Sequence, residues 1–404
     1  MSTTSSELYS DQLAEARALF EEHYGPLEGR RALAAHAPGR SEIAGNHTDH
    51  EGGHVIAGAL DVGIAGIASP NNTNLIRMVD RDFPAFEISL DDLSAREDEH
   101  VSTAGLARGM AAQLAQTGRV SAGFDLATTS TIPAGGGLSS SAAVEALLGR
   151  VMEALWPGEA VDATALAQMS QRTENTWFGK PCGLMDQLAI CLGGLAFMDF
   201  EDPAFPQTAK LDFDFDAAGY SLCLVDVGCD HAPFTADYAL MPVEMQQVAE
   251  QFGKKRLCEV DEKAFDERVG ELRRTLGDRA VLRAIHYWYE NGLVDQRWDA
   301  LNAADIDAFV RLTRNSGASS GMFLQNVSAG GAFQPAMIAL GLAEHVLTGR
   351  GAARIHGGGF GGSIQCFVPL ELVDEFRERM NAWLGEGACR GYRIEERGAW
   401  AQWL

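Results

Sequence analysis

The 404-residue chain is poor in positive charge, with 32 Lys and Arg against 56 Asp and Glu and a formal net charge of −24. Nucleic acids and anionic membrane surfaces are bound through clustered Lys and Arg, so we expect neither as a partner. The most apolar stretch, 54–68, is interrupted by Asp61 and is too short to span a bilayer. Residues 1–6 are polar and precede no apolar run, so no secretory signal is expected.

Closely spaced cysteine pairs are also missing from the sequence. The seven cysteines are scattered and never spaced as Cys-x-x-Cys, which argues against a disulfide framework and against a cysteine zinc site. This pattern predicts a protein of the reducing cytoplasm. A Walker loop, Gly-x-x-x-x-Gly-Lys-Ser/Thr, is absent too, although the acidic charge does not exclude a single nucleotide held by backbone donors and a metal.

Length and pattern predict two domains of an α+β protein. A chain of 404 residues exceeds one typical domain, and strands alternate irregularly with helices along it. We place the boundary between residues 210 and 211, which gives domains 1–210 and 211–404. Among the helices expected in the second half are 242–252, 280–291 and 335–347, with strands over 353–355 and 363–368.

The most informative segment is a Gly-Ser loop at 133–143, Pro-Ala-Gly-Gly-Gly-Leu-Ser-Ser-Ser-Ala-Ala. Its glycines allow the backbone to approach an anion closely, and its serines stand where a helix begins. Free amides and the positive end of the helix dipole then face one point, which suits a di- or triphosphate. The alternative is a flexible turn with a serine N-cap.

A second glycine-rich segment, which we call the late loop, lies at 356–362 and reads His-Gly-Gly-Gly-Phe-Gly-Gly. Gly357, Gly359 and Gly362 formally satisfy Gly-x-Gly-x-x-Gly, but a strand is predicted after them where a dinucleotide-binding fold requires a helix. Close approach to a ligand or to another loop explains so many glycines. A plain hairpin is the alternative.

The third segment, 37–53, is dense in polar side chains: Arg40, Asn46, His47, Asp49 and His50. Directed donors and acceptors on a loop bounded by glycines suit recognition of a polyhydroxy compound. One alternative is a metal site formed by His47, Asp49, His50 and His54, although this spacing matches no common zinc pattern. A solvated loop with capping residues is the other.

Together the three segments resemble the motifs of the GHMP small-molecule kinases, and 39–50 resembles the signature of the galactokinase family, Gly-Arg-x-Asn-x-x-Gly-Glu-His-x-Asp-Tyr. The chain departs from that signature at Glu42, Asn46 and His50, and no basic run follows Tyr238. Residues 173–187, which end in Cys-Gly-Leu-Met-Asp-Gln, resemble a further galactokinase segment. The motifs occur in the family's order between residues 37 and 363.

The resemblance implies an N-terminal domain like the second domain of ribosomal protein S5 and a ferredoxin-like C-terminal domain. It implies ATP and Mg²⁺ as cofactors and phosphorylation of the anomeric hydroxyl of galactose. Another acceptor such as N-acetylgalactosamine, or a non-catalytic sugar-and-ATP-binding regulator, stays open. The sequence indicates no oligomeric state.

Residue roles follow from the same resemblance. Asp186, which alone would read as a capping residue, matches the catalytic base, and Arg40 matches the cation beside it. Glu174 and Ser140 match the Mg²⁺ ligands. The positions that match sugar contacts are Asn46, His47, Asp49, Gly183 and Tyr238. Those that match the nucleotide-binding loop are Gly135, Gly136, Gly137, Leu138, Ser139, Ser140, Ser141 and Ala142.

Overall fold

The computed structural model describes residues 9–133, 135–229 and 234–404; the polar segment 1–6 and Ala134 of the Gly-Ser loop lie outside this part of the chain. The strands are β1 (Leu33–Ala44), β2 (His54–Pro70), β3 (Leu75–Asp80), β4 (Phe86–Ser89), β5 (Phe124–Ser130), β6 (Leu195–Asp199), β7 (Gln207–Leu211), β8 (Tyr220–Asp226), β9 (Ala352–Ile355), β10 (Ser363–Pro369), β11 (Cys389–Tyr392) and β12 (Trp400–Trp403).

The helices alternate with these strands. They are α1 (Ser10–Tyr24), α2 (Thr103–Ala115), α3 (Ser140–Leu155), α4 (Ala163–Thr173), α5 (Met185–Leu192), α6 (Thr235–Glu250), α7 (Glu262–Leu276), α8 (Asp278–Asn302), α9 (Ile306–Ser319), α10 (Pro335–Leu347) and α11 (Val373–Leu384). Two π-helical turns, Glu174–Phe178 and Ser320–Leu324, continue α4 and α9.

The first sheet has eight strands in the order β12-β1-β2-β5-β3-β4, with β6 and β7 paired beyond β2. Successive side chains of a strand point to opposite faces, and β1 is buried on both. Leu33 and Ala35 face the core shared with α2 to α5, whereas Ala34 packs with Phe20 of α1 on the other face. The Gly-Ser loop connects β5 to α3.

The second sheet is antiparallel in the order β11-β8-β10-β9. Val225 and Ile364 face a core with α10 and α11, while Leu224 and Phe367 face a core with α8 and α9. That second core also takes in Ile43 of β1, so it joins the two sheets. The late loop connects β9 to β10 as an antiparallel hairpin.

The predicted α+β class is confirmed, and several element bounds are corrected. Helix 335–347 begins at Pro335 as expected, because proline suits the first helical turn. The helix predicted over 242–252 instead begins at Thr235 with Pro242 inside it, because Met241 and Met245 on either side of the proline pack into the helical core. Residues 280–291 are part of the longer α8. The 210/211 domain boundary falls inside β7, one residue before its end, and stays a prediction.

Candidate active site

Asp186 lies in the first turn of α5 and is held by side chains from two other segments. Arg40 of β1 donates to both carboxylate oxygens, with Nε 2.8 Å from Oδ1 and Nη2 2.7 Å from Oδ2. The Ser139 hydroxyl of the Gly-Ser loop also hydrogen-bonds Oδ2. The Asp186 side chain retains 29% exposure. Such a carboxylate has a fixed orientation and one open side.

The electrostatics of this group keep it ionised. Burial acts to raise the pKa of Asp186, but the charge and hydrogen bonds of Arg40, together with the Ser139 hydroxyl, outweigh burial and lower that pKa below its usual range. Arg40 is itself buried and also donates to the Gly137 carbonyl at 2.6 Å. It therefore connects the carboxylate to the Gly-Ser loop.

The Gly-Ser loop ends where α3 begins, as predicted. Ser139 stands just before the helix with φ 58°, a left-handed conformation that is unusual for a residue with a Cβ. This conformation directs its hydroxyl to Asp186. The first amides of α3 have no partner inside the helix, so the loop presents donors and the dipole's positive end together. The geometry suits a phosphate group next to Asp186.

Glu174, the first residue of a π-helical turn, is the second acidic side chain at the site. Its Oε1 accepts from the Ser141 hydroxyl at 3.0 Å and its Oε2 from the Gln187 amide at 2.7 Å. Burial raises the pKa of Glu174, and the Ser141 hydroxyl opposes this. The serine that touches Glu174 is Ser141, whereas Ser140 is exposed.

This donor set fits Mg²⁺ of the kind that binds through one carboxylate and takes its remaining ligands from phosphates and water. The Glu174 carboxylate keeps unshared lone pairs after its two hydrogen bonds, and serine hydroxyls stand beside it. No cluster of three or more His, Cys, Asp or Glu side chains suited to a metal ion occurs in residues 9–133, 135–229 and 234–404.

Asn46, on the loop between β1 and β2, is held by the late loop and by the segment that follows α9. It is fully buried, and its Nδ2 donates to the Gly357 carbonyl at 2.6 Å. Its Oδ1 accepts from Asn326 at 2.8 Å and from Ser320 at 3.1 Å. These contacts use both polar atoms of the side chain, and its role as a sugar contact stays a prediction.

His47 also contacts the late loop, through Nε2, which lies 3.1 Å from the Gly358 carbonyl. A carbonyl only accepts, so Nε2 carries the proton, and a neutral ring then accepts at Nδ1 from His50 Nε2 at 3.2 Å. Burial and the nearby His50 lower the pKa of His47 to about 3, which agrees with a neutral ring. The expected close approach of the late loop to another loop is confirmed.

Three further predicted sugar contacts pack against one another or against His47. Gly183 is next to Asp49, since a Cβ at this glycine would stand 2.7 Å from Asp49 Oδ2. The Tyr238 ring covers Gly358 and lies 5.4 Å from the His47 ring. Partial burial, together with the carboxylates of Asp49 and Asp186, raises the pKa of Tyr238 to about 12. The site is therefore formed by side chains from both halves of the chain.

Comparison with known proteins agrees with this geometry. Residues 105–194 match the family model of the GHMP kinases N terminal domain, and residues 18–70 match that of the galactokinase galactose-binding signature. The galactokinase of Actinobacillus pleuropneumoniae serotype 3 is 32% identical over 370 residues, covering 89% of this chain and 90% of the relative. That of Lactobacillus helveticus is 29% identical over 362 residues, covering 85% and 87% of the two chains.

The chain belongs to the galactokinase family. Its fold agrees with this membership: the crystal structure of Lactococcus lactis galactokinase complexed with galactose superimposes with a TM-score of 0.80 at 24% identity, covering 96% of this chain and 99% of that one. A crystal structure of mevalonate kinase superimposes with a TM-score of 0.63 at 15% identity, covering 90% and 99%. Both show the fold that this galactokinase-family chain shares with them.

Sequence motifs did not single out every polar residue at the site of this galactokinase-family chain. Gln187 follows Asp186 directly, yet nothing in the pattern indicates that its amide reaches Glu174. Asn326 lies outside the motifs and accepts at its backbone carbonyl from the Phe360 amide at 2.6 Å. The position of Gln187 directly after a predicted catalytic Asp could have marked it as a candidate site residue, whereas nothing in the sequence around Asn326 does so.

In the described part of the chain no helix is long and apolar enough to cross a membrane.

Proposed function

We propose that this chain transfers the terminal phosphoryl group of ATP to the anomeric hydroxyl of galactose, giving galactose 1-phosphate and ADP. The observation that carries the proposal is the Asp186 carboxylate, held by Arg40 and Ser139 and still 29% exposed. Membership of the galactokinase family supports the sugar, as does the galactose in the Lactococcus lactis structure.

Asp186 acts as the general base. Its lowered pKa leaves it ionised at neutral pH, ready to accept the proton of the sugar hydroxyl as the oxygen attacks the γ-phosphorus. The new bond joins the sugar oxygen to phosphorus, the bond from the γ-phosphorus to the β–γ bridging oxygen breaks, and ADP leaves. Arg40 fixes the carboxylate and places positive charge next to the transferred group.

The Gly-Ser loop, Gly135 to Ala142, holds the nucleotide phosphates through backbone donors at the start of α3. Glu174, with Ser140 or the neighbouring Ser141, would hold Mg²⁺, which offsets phosphate charge when it is bound. His47, Asp49, Gly183 and Tyr238 form the sugar-facing side. The seven cysteines, all within the described residues, form no disulfide with one another, which is in keeping with a cytoplasmic enzyme.

The test is Asp186→Asn, compared with the exposed Asp82→Asn as a control. If Asp186 is the base, turnover falls by at least about 10²-fold. The variant stays folded with a lower Tm, because its amide oxygen still accepts from Arg40 but no longer offers a counter-charge. ADP release is followed in a coupled assay with galactose, N-acetylgalactosamine and other sugars, and the product is identified. Near-normal turnover of Asp186→Asn contradicts the base, and absence of sugar-dependent turnover in the wild type favours a regulatory relative.

A further inference from the structure

Two fully buried polar side chains, Gln187 and Glu145, lie beside Glu174. Gln187 of α5 and Glu145 of α3 both have no exposed surface. Gln187 Nε2 lies 2.7 Å from Glu174 Oε2 and 3.5 Å from Glu145 Oε2, so its two hydrogens serve two carboxyl groups. The phosphoryl-transfer chemistry described above uses neither residue.

The orientation of the Gln187 amide is determined by its neighbours. With oxygen and nitrogen exchanged, the amide oxygen would lie 2.7 Å from a carboxylate oxygen, which is repulsive. Cys182 Sγ, at 3.5 Å from Nε2, also favours the amino group on this side. Gln187 Oε1 and Glu145 Oε1 have no hydrogen-bond partner among the described residues. An arrangement that leaves buried oxygens unpaired is costly, so it calls for a functional explanation.

The hydrogen bond from Gln187 helps to fix the orientation of the Glu174 carboxylate. Ser141 holds one of its oxygens and Gln187 holds the other, so the carboxylate plane cannot rotate about its terminal bond. Residues that do not touch a metal themselves commonly hydrogen-bond its ligands and fix their orientation in this way. Without Gln187, Oε2 would lose its donor, and the carboxylate would be free to turn away from a metal on the phosphate side.

We infer that Gln187 is a positioning residue for the metal site, that it orients Glu174, and that Glu145 in turn orients the Gln187 amide. This rests on the proposed role of Glu174 as a Mg²⁺ ligand. Gln187→Met removes the donor at nearly constant volume. Glu145→Gln keeps an acceptor for the Gln187 amide, whereas Glu145→Leu removes it.

The experiment measures Mn²⁺ binding to the full chain by electron paramagnetic resonance, with a non-hydrolysable ATP analogue present, and binding of the analogue alone without metal. Gln187→Met should raise the Mn²⁺ Kd about 10- to 100-fold, the usual effect of losing an outer-shell partner, while analogue binding without metal stays unchanged. Glu145→Leu should raise the Mn²⁺ Kd more than Glu145→Gln does. The control is Gln12→Met, which removes a buried glutamine of α1 that donates to the Gly63 and Thr129 carbonyls.

A Mn²⁺ Kd in Gln187→Met no higher than in Gln12→Met overturns the inference. If Gln187→Met does not fold, equal Mn²⁺ affinities of the two Glu145 variants overturn it instead. A wild-type chain that phosphorylates sugar but binds no Mn²⁺ also overturns it and leaves phosphoryl transfer standing. Gln187-dependent Mn²⁺ binding without transfer to any sugar supports it and contradicts the proposed function.

Discussion

At the scale of single residues, the ionisation of Asp186 depends on its partners. Burial alone would raise the pKa of this carboxyl, and Arg40 and Ser139 reverse the direction. Activity that needs the carboxylate is lost as the pH falls through this lowered pKa. Removing Arg40 leaves burial opposed only by weaker contacts, so the pKa of Asp186 should rise.

We therefore expect Arg40→Met to move the acid limb of the kcat/KM profile to higher pH, in addition to lowering its plateau. Arg40→Lys retains a positive charge and should move the limb less, although it loses the two-point contact. The measurement is kcat/KM for the sugar across the acid range at saturating ATP. An acid limb that stays in place in Arg40→Met would show that another group controls it.

The hydrogen-bond partners of Asn46 could not be predicted from the sequence. The motif located residue 46 correctly on the loop between β1 and β2, but a motif carries no information about which way a side chain turns. Contacts to Gly357, Ser320 and Asn326, all more than 270 positions away in the chain, determine that direction. The contact between Asp186 and Arg40 was predictable, because the resemblance to the galactokinase family implies a cation beside the base.

At the scale of elements, prediction succeeded where a local signal marks an end. Pro335 marks the start of α10, and the serines mark the start of α3. The helix predicted over 280–291 is longer in the structure, because Leu293 and Val294 continue α8 beyond Gly292 and pack against the second sheet. Strand β12 was missed because its pairing with β1 joins residues far apart in sequence.

The late loop allows a matched test of two glycines. Gly357 and Gly359 both have positive φ, 62° and 87°, but a Cβ at Gly357 meets nothing within 4 Å, whereas one at Gly359 would lie 2.2 Å from the Asn326 carbonyl. Gly357→Ala should cost about 1–2 kcal/mol of unfolding free energy, from the left-handed backbone alone. Gly359→Ala should cost clearly more and raise the KM for the sugar, because the loop must leave Asn326. Equal effects in urea unfolding and in KM would contradict this close contact.

At the scale of the whole molecule, a buried ion pair joins the two sheets. Arg354 of β9 donates to Glu42 Oε1 at 2.7 Å and to the Glu42 carbonyl at 2.8 Å, and Glu42 lies on β1 two residues from Arg40. Both side chains are buried, and burial raises the pKa of Glu42 while Arg354 opposes this. Glu42 is also one of the departures from the galactokinase signature. Charge at this position therefore depends on the partner across the interface between the sheets.

Glu42→Leu and Arg354→Met should each lower the free energy of unfolding by about 3–5 kcal/mol, because each leaves a buried charge without its partner. The double variant should lose much less than the sum, since a buried pair replaced by apolar groups often costs little. As a control, Glu21→Gln in the exposed pair with Arg17 should change stability by at most about 1 kcal/mol. Urea unfolding of the four proteins at one pH gives the coupling energy between positions 42 and 354. Additive single effects would mean that apolar packing, including Ile43 against α8 and α9, holds the two sheets together without help from this ion pair.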